Sequence, residues 1–362
     1  MTDTVTDATP SPSAAPAASP PLATRRLPRW APAAIAAGAI LVAVAIGAGL
    51  GLSSHVQWGL IALLLFVGGS YAITARVEGR RQAKDRVATS LVWSSFIVAV
   101  LPLYSLIETT FKKGVKVLDV NFLTHSMNNV LTIQPGGGVY HAIIGTLEQV
   151  GIAAAIAAPV GILTAIYLVE YGKGMLAKWV TFFVDVMTGI PSIVAGLFIL
   201  SIWFVVMGAA PQSGFAGSLA LAILMMPIVV RSTEEMLKLV PNELREASLA
   251  LGVPKWRTIT KVVVPTAIGG ITTGVMLALA RIAGESAPIA LLVFGSPIIN
   301  TNPFKHPQSS LPFYIYQQYV DGNEASYDRA WAAALVLIAF VMVLNLLARL
   351  IARWKAPKFS GR

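Results

Sequence analysis

The sequence contains no cysteine and little charge. Among its 362 residues there are 4 histidines, and Asp, Glu, Lys and Arg together make up 12%. The missing cysteines exclude a disulfide framework, a thiolate nucleophile and a thiolate metal site. The histidines are scattered over loops and the ends of apolar segments without the spacing of metal ligands, so no metal site is predicted. They are His55, His125, His141 and His306.

Motifs for nucleotide binding and hydrolysis are missing as well. The phosphate-binding pattern GxxxxGK followed by Ser or Thr does not occur, since Gly172 and Lys173 are followed by Gly174 and lack the upstream glycine. Neither HExxH nor GxSxG is present. We therefore predict that the chain is not an enzyme and holds no cofactor.

Apolar residues dominate what is present. They account for 56% of the chain, and the mean hydropathy is +0.71. A helix needs about 20 apolar residues to cross a bilayer, and eight runs meet that requirement. The sequence thus predicts an all-α, polytopic helical membrane protein. The runs are 31–52, 56–75, 87–107, 140–169, 177–207, 215–237, 266–294 and 330–351.

The net charge of +10 is explained by membrane orientation and not by a nucleic-acid partner. Most of the 27 Lys and Arg residues fall in segments on one side of the eight predicted spans. Positively charged loops stay in the cytoplasm, so both termini are predicted to be cytoplasmic. The densest cluster follows the second run, in RVEGRRQAKDR.

Composition divides the chain into three parts. Residues 1–30 are rich in Pro, Ala, Ser and Thr and are predicted to form a disordered cytoplasmic tail. Residues 31–86 form an accessory transmembrane hairpin with a basic loop. Residues 87–356 form a six-span core that carries the unusual polar residues.

Two arginines lie inside apolar runs, where a charge costs about 2.5 to 3.5 kcal/mol at a helix centre. Arg281 is followed one helical turn later by Glu285, with Gly284 and Pro288 able to interrupt the helix. Arg231 lies nearer the end of its run, with two glutamates one turn away. Each arginine has two readings: a locally paired structural charge, or a planar cation that contacts an oxyanion in transit.

The string MTGIPSIVAGLFI predicts a third irregular point. Thr188, Gly189, Pro191 and Ser192 would break or bend the span and expose hydroxyl groups. Close helix packing and a contribution to a substrate path both explain this pattern. Glu148 is a further carboxylate in an apolar run, and the sequence names no partner for it.

A short polar elbow separates two apolar runs at residues 238–265. We predict a helix after Pro241 with Leu244, Ala247 and Leu251 on one face, ended by Gly252 in a left-handed conformation. Pro254 is predicted to open a second short helix that runs to Pro265. Such an elbow is suited to being pushed by a partner in the aqueous phase.

The elbow string REASLALGVPKWRTITKVVVP resembles the Glu-Ala-Ala loop of permease subunits of bacterial ABC importers. Ser248 stands in place of the second alanine, and Val264 with Pro265 closes the motif. Four further strings, in order along the chain, are similar to the phosphate-specific branch of these permeases, the PstA family. They are GGGVYHAIIGTL, MTGIPSIVAGLF, MMPIVVRSTEEML with VPNELREASLALG, and LALARIAGESAPI.

This resemblance implies a permease subunit that imports inorganic phosphate across the bacterial plasma membrane. It implies a sister permease PstC, two copies of an ATPase PstB that binds ATP and Mg, and an extracytoplasmic phosphate-binding protein PstS. The implied substrate path contains Arg231, Arg281, Glu285, Thr188 and Ser192. The residues implied to couple to the ATPase are Glu243, Arg245, Glu246, Ala247, Ala250, Gly252 and Val253.

Two other classes of protein share part of this pattern. An ion-coupled transporter or channel for a small oxyanion would use the same arginines but needs no elbow of this kind. A membrane-embedded lipid-processing enzyme would need a catalytic constellation, which the sequence lacks.

Overall fold

The computed structural model describes residues 27–28, 30–52, 55–208 and 212–355. The predicted tail at 1–30 lies almost wholly outside the described residues. Within them every regular element is a helix, so the predicted all-α class is confirmed. The helices are α1 (Ala31–Gly49), α2 (His55–Val77), α3 (Arg80–Gly114), α4 (Val120–Thr124), α5 (Tyr140–Ile166), α6 (Met175–Gly189), α7 (Ser192–Met207), α8 (Gly214–Lys238), α9 (Asn242–Ala250), α10 (Lys255–Thr258), α11 (Val264–Ile282), α12 (Ala287–Leu292), α13 (Leu311–Asp321) and α14 (Glu324–Lys355).

Seven helices of the described chain are long and apolar enough to cross a membrane, and a bent pair adds an eighth crossing if it counts as one span. The bent pair is α6 and α7, which meet at 111°. The span predicted over 177–207 is thus divided into two helices, and the predicted break at Thr188–Ser192 is confirmed. Pro191 explains the break because its ring cannot continue the preceding helix.

The span predicted over 266–294 is also interrupted. α11 ends at Ile282, the backbone turns through Ala283–Ser286, and α12 follows as a helix of 6 residues. Gly284 and Pro288 lie at this break, as the sequence analysis expected. At the other end, α11 is preceded without a gap by a π-helical turn, Ile259–Val263, which follows α10.

The chain forms two compact units, one ending at Ser105 and the other beginning at Leu106. In the first unit α1 and α2 form a hairpin in which glycines permit close contact. A Cβ added to Gly47 would lie 2.5 Å from the Trp58 indole, and one added to Gly69 would lie 3.4 Å from Ile35.

The second unit is built around α8, the most buried of its spanning helices. α5 packs along α8 through a stripe of small residues at four-residue spacing, which lets the two backbones approach closely. At Gly161 an added Cβ would lie 2.8 Å from Val229. The buried residues of the stripe are Ala153, Ala157, Gly161 and Ala165.

Glycine contacts also give the register between α8 and α11, which run in opposite directions. Gly270 lies against Met236, and Gly274 lies against Ser232. Continuing this register places Arg281 level with about Met225, near the middle of α8, since both helices rise about 1.5 Å per residue. Arg281 therefore lies at mid-depth. Arg231 lies about 9 Å closer to the end of α8 that leads into the elbow.

We call the side of the membrane that holds residues 238–255 the elbow side, and the opposite side the loop side. On the loop side, the segment 296–310 folds back onto the ends of α5 and α8. The Phe215 backbone N–H donates to the Pro303 carbonyl at 2.7 Å, and the Phe304 ring lies 4.7 Å from the Phe215 ring. This segment is thus a tightly held strap and not a loose connection.

Candidate functional site

Arg281 occupies the last turn of α11, directly before the helix break. Its side chain is exposed in the isolated chain, and Glu285 is half-buried. Within the described residues the Arg281 guanidinium has no hydrogen bond and no ion pair. The expected pairing of Arg281 with Glu285 is therefore absent. The physical reason is that α11 ends at Ile282, so Glu285 does not stand one helical turn above Arg281.

Arg231 is in a different situation, because two carboxylates of the same chain bind it. Its Nη1 donates to Glu234 Oε2 at 2.7 Å, and its Nη2 pairs with Asp185 near the end of α6. Lys238 also reaches Glu234, at 2.7 Å. The local pairing that was one of its two readings is confirmed for Glu234. The contact with Asp185 additionally ties α6 to α8.

The start of α7 lies at the level of the break after α11. A Cβ added to Gly196 would lie 2.9 Å from the Pro288 Cα, so α7 and α12 run side by side from the same depth. This brings Ser192 level with Gly284 and Glu285. Thr188 lies in the last turn of α6, and its hydroxyl donates to the Val184 carbonyl at 2.9 Å.

These residues share one depth, near the middle of α8, which we call the polar zone. At that depth lie Arg281, which has no ion pair among the described residues, the first turn of the 16-residue helix α7, and the Ser192 hydroxyl. Free N–H groups and the helix dipole make the start of a helix favourable to anions. The zone can therefore accept a small anion, whereas Arg231 is already neutralised. The structure thus separates two arginines that the sequence treated alike.

The elbow has the predicted left-handed glycine. Gly252 has φ +78°, and a Cβ added there would meet nothing within 4 Å. Pro241 and Pro254 each precede a helix as its N-cap. The separate second helix ending at Pro265 is wrong, because α10 continues through the π-helical turn into α11. A π-helical turn before Pro265 accommodates a residue that lacks an N–H and whose ring clashes with the preceding turn.

Hydrogen bonds join the two helices of the elbow, α9 and α10, to each other and to the end of α8. The Ser248 and Thr258 hydroxyls lie 2.9 Å apart and are buried. Arg245 donates to the Leu237 carbonyl at 2.9 Å, in the last turn of α8, and to the Val240 carbonyl at 2.6 Å, just after that helix. The serine at the motif's second alanine thus has a structural partner.

The outward surface of the elbow is open. Leu244 and Leu251, predicted to share a face with Ala247, are 41% and 83% exposed. Trp256 in α10 is 57% exposed. These apolar side chains project on a polar segment outside the spans, which suits a protein partner. The remaining residues of the predicted coupling set are also exposed or half-buried: Glu243, Glu246, Ala250 and Val253.

Three features were not found by sequence reasoning. Glu148 has a partner, the Gln308 side chain of the strap, and neighbouring Gln149 also binds Gln308 at 2.9 Å. Glu170 binds Arg245 of the elbow at 2.9 Å. These pairs are 160 and 75 residues apart along the chain, so no local pattern indicates them.

The third feature is Arg329, near the start of α14. It is 2% exposed and has no ion pair within the part of the chain described. Its guanidinium instead donates to the carbonyls of Thr132, Gln134 and Gly136 and to the Gln318 side chain. Arg329 thereby fixes the glycine-rich loop before α5 to α13 and α14.

Comparison with known proteins agrees with this architecture. Residues 157–361 match the model of the family described as "Binding-protein-dependent transport system inner membrane component". The "Phosphate transport system permease protein PstA 1" of Mycobacterium tuberculosis strain CDC 1551 / Oshkosh is 49% identical over 273 residues, which is 75% of this chain and 90% of that protein. The PstA of Mycobacterium leprae is 48% identical over 271 residues, covering 75% and 89%.

A solved structure has the same fold. A chain of the bacterial alginate ABC transporter, crystallised with its alginate pentasaccharide-bound periplasmic protein, aligns with a TM-score of 0.57 at 16% identity. The alignment covers 76% of this chain and 96% of that one. On the strength of the family match and the close relatives, the chain belongs to the binding-protein-dependent transport system inner membrane component family and, within it, to the PstA permeases.

Proposed function

We propose that this protein is the permease subunit of an ATP-driven importer of inorganic phosphate. The observation that carries the proposal is Arg281, a cation at mid-depth with no partner in the described part of the chain, together with an elbow that has an exposed apolar surface. An arginine exposed to lipid at this depth is costly, so its face is expected to be covered by protein or water. The PstA relatives support phosphate as the substrate.

The other half of the path is assigned to a sister permease, PstC. In the single chain Arg281 is exposed and Glu285 and Ser192 are half-buried, so a second subunit packed against them would complete the enclosure of the path. Binding must be weak enough to permit release. One arginine per subunit, shared across an interface, meets that requirement better than a closed cage.

Energy is assigned to two copies of the ATPase PstB, which would bind ATP and Mg. The chain itself is proposed to have no enzymatic activity. The elbow would receive the ATPase through Leu244, Leu251 and Trp256, and a binding protein, PstS, would deliver phosphate on the loop side. This places the elbow side in the cytoplasm and both termini with it, in accord with the charge distribution.

Reconstitution tests this function. The chain, copurified with its partners in proteoliposomes, is expected to take up phosphate only with binding protein outside and ATP inside. Uptake should persist when ion gradients are collapsed. Phosphate uptake by the chain without an ATPase, driven by an ion gradient, would instead establish the ion-coupled alternative.

Orientation has a separate test, because the chain has no native cysteine. Single cysteines introduced at Gln134 and at Lys238 are labelled in intact cells with an impermeant maleimide. Labelling at Gln134 alone is expected. Labelling at Lys238 alone would reverse the proposed orientation.

A further inference from the structure

α5 is held by the elbow at one end. The helix passes into a π-helical turn, Tyr167–Tyr171, that carries Glu170. Arg245 in α9 contacts one carboxylate oxygen of Glu170 with two nitrogens, Nε at 3.0 Å and Nη2 at 2.9 Å. The side chains of this pair are only 16% and 7% exposed. Water therefore screens the pair less than an ordinary surface ion pair, and losing one partner costs more.

α10, the second helix of the elbow, contacts the same π-helical turn. The Lys255 ammonium, at the start of α10, donates to the Glu170 carbonyl and lies 4.8 Å from the centre of the Tyr171 ring. Both helices of the elbow, α9 and α10, therefore hold the end of α5. A displacement of the elbow must move α5 or break these contacts.

The other end of α5 is held by the loop-side strap. The Gln149 amide donates to Gln308 Oε1 at 2.9 Å and to the Ser309 carbonyl at 3.2 Å. The Leu311 backbone N–H donates to the Thr146 hydroxyl at 2.7 Å. These contacts are buried, so breaking them leaves polar groups unpaired.

One helical element thus joins the two sides of the membrane. From Glu148 to Glu170 the chain rises about 33 Å, with its small-residue stripe closely packed against α8. Contiguous packed elements with hydrogen-bonded ends can carry energetic coupling between distant sites. At the elbow end, Glu170 binds Arg245 through its carboxylate and Lys255 through its carbonyl. At the loop-side end, Gln308 binds both Glu148 and Gln149.

We propose that Glu170 and Gln308 are positioning residues through which α5 carries the displacement of the elbow to the strap 296–310. The strap then changes its position at the loop-side end of the path when the ATPase closes. This inference rests on the proposed function, since it needs an ATPase to move the elbow. The elbow joins α8 and α11 directly, and the inference makes α5 a third helix that transmits the elbow's displacement.

State-dependent labelling tests the inference. Lys305, exposed on the strap, is replaced by cysteine, and the reconstituted complex is labelled with an impermeant maleimide without nucleotide and after trapping with ATP and vanadate. The labelling rate is expected to differ several-fold between the two states. In Glu170→Gln, which keeps the shape but removes the charge, that difference is expected to be lost, and Glu170→Asp should retain part of it.

Two controls separate transmission from folding. Glu108→Gln removes an exposed ion pair with Lys112 and should leave the difference at Lys305→Cys intact. A cysteine at Lys116, outside the strap, should label alike in the Glu170→Gln and unsubstituted complexes. If Glu170→Gln does not assemble, Gln308→Leu, at the opposite end of α5, decides in its place and should also lose the difference.

A wild-type response at residue 305 in an assembled Glu170→Gln or Gln308→Leu complex would overturn the inference. So would a labelling rate at Lys305→Cys that is the same in both nucleotide states while the complex imports phosphate. Failure of the unsubstituted complex to import phosphate would count against the proposed function instead.

Discussion

Replacing Arg281 tests whether the free arginine contacts the substrate. Among the residues that the structure describes it has no hydrogen-bond or ion-pair partner, so its removal should not weaken the fold. Arg281→Lys keeps the positive charge but replaces the planar fork with a single ammonium group. If phosphate is held by two parallel hydrogen bonds, the lysine variant loses one of them.

The expected loss of phosphate uptake follows from the loss of one hydrogen bond. A hydrogen bond to a charged group is worth about 1.5 to 3 kcal/mol, and about 1.4 kcal/mol changes a rate tenfold. Arg281→Lys is therefore expected to lower phosphate uptake roughly 10- to 100-fold, and Arg281→Gln should lower it further. The assay is uptake by proteoliposomes, normalised to the amount of assembled complex.

Arg231 supplies the matched comparison. Arg231→Gln removes two ion pairs within the chain and should lower the Tm of the purified protein, whereas Arg281→Gln should leave the Tm unchanged. Because Arg281 and Glu285 are not paired, neutralising both should not restore transport. Near-normal uptake by Arg281→Lys, or by the Arg281→Gln and Glu285→Gln double variant, would refute the substrate contact.

Three further outcomes are expected. Gly252→Val should reduce phosphate-stimulated ATPase activity, since a left-handed backbone costs an ordinary residue about 1 to 2 kcal/mol. Gly252→Asn should stay near wild type, because asparagine tolerates that conformation. Equal activities of the two variants would contradict this expectation. Ser248→Ala should lower stability to thermal unfolding by about 1 to 3 kcal/mol by leaving the Thr258 hydroxyl unpaired, and adding Thr258→Val should recover most of it; no recovery would argue against the hydrogen bond. Arg329→Met should release the loop it holds, seen as faster maleimide labelling of Gln134→Cys, and an unchanged rate would show that the loop is held otherwise.

Local rules predicted the elements well and their interruptions in part. Hydropathy located the spanning segments because a run of about 20 apolar residues has few alternatives to a membrane helix. Gly252, with its positive φ, followed from helix-ending preferences, and the break before Ser192 followed from Pro191. The sequence did not predict that α10 continues through Pro265. Proline normally ends or kinks a helix, and the sequence does not indicate the π-helical turn that accommodates it here.

Contacts between distant parts of the chain could not be predicted. The pairing of Glu170 with Arg245 and of Glu148 with Gln308 depends on which helix ends meet, and a single sequence does not state this. Arg329 was undervalued for a related reason. Most of its partners are backbone carbonyls, which every residue possesses, so no residue type in the sequence marks the site.

The different surroundings of the two arginines suggest how the path can release its cargo. At mid-depth Arg281 offers an uncompensated positive charge, whereas about 9 Å towards the elbow side Arg231 is bound by Asp185 and Glu234. On the proposed function, a phosphate passing Arg281 next meets a site whose positive charge is already balanced. Two free arginines in series would hold the anion at each step, and conduction requires binding that is weak enough to leave. The carboxylates beside Arg231 therefore favour exit on the elbow side, and this asymmetry depends on Asp185 reaching Arg231 across the bend between α6 and α7.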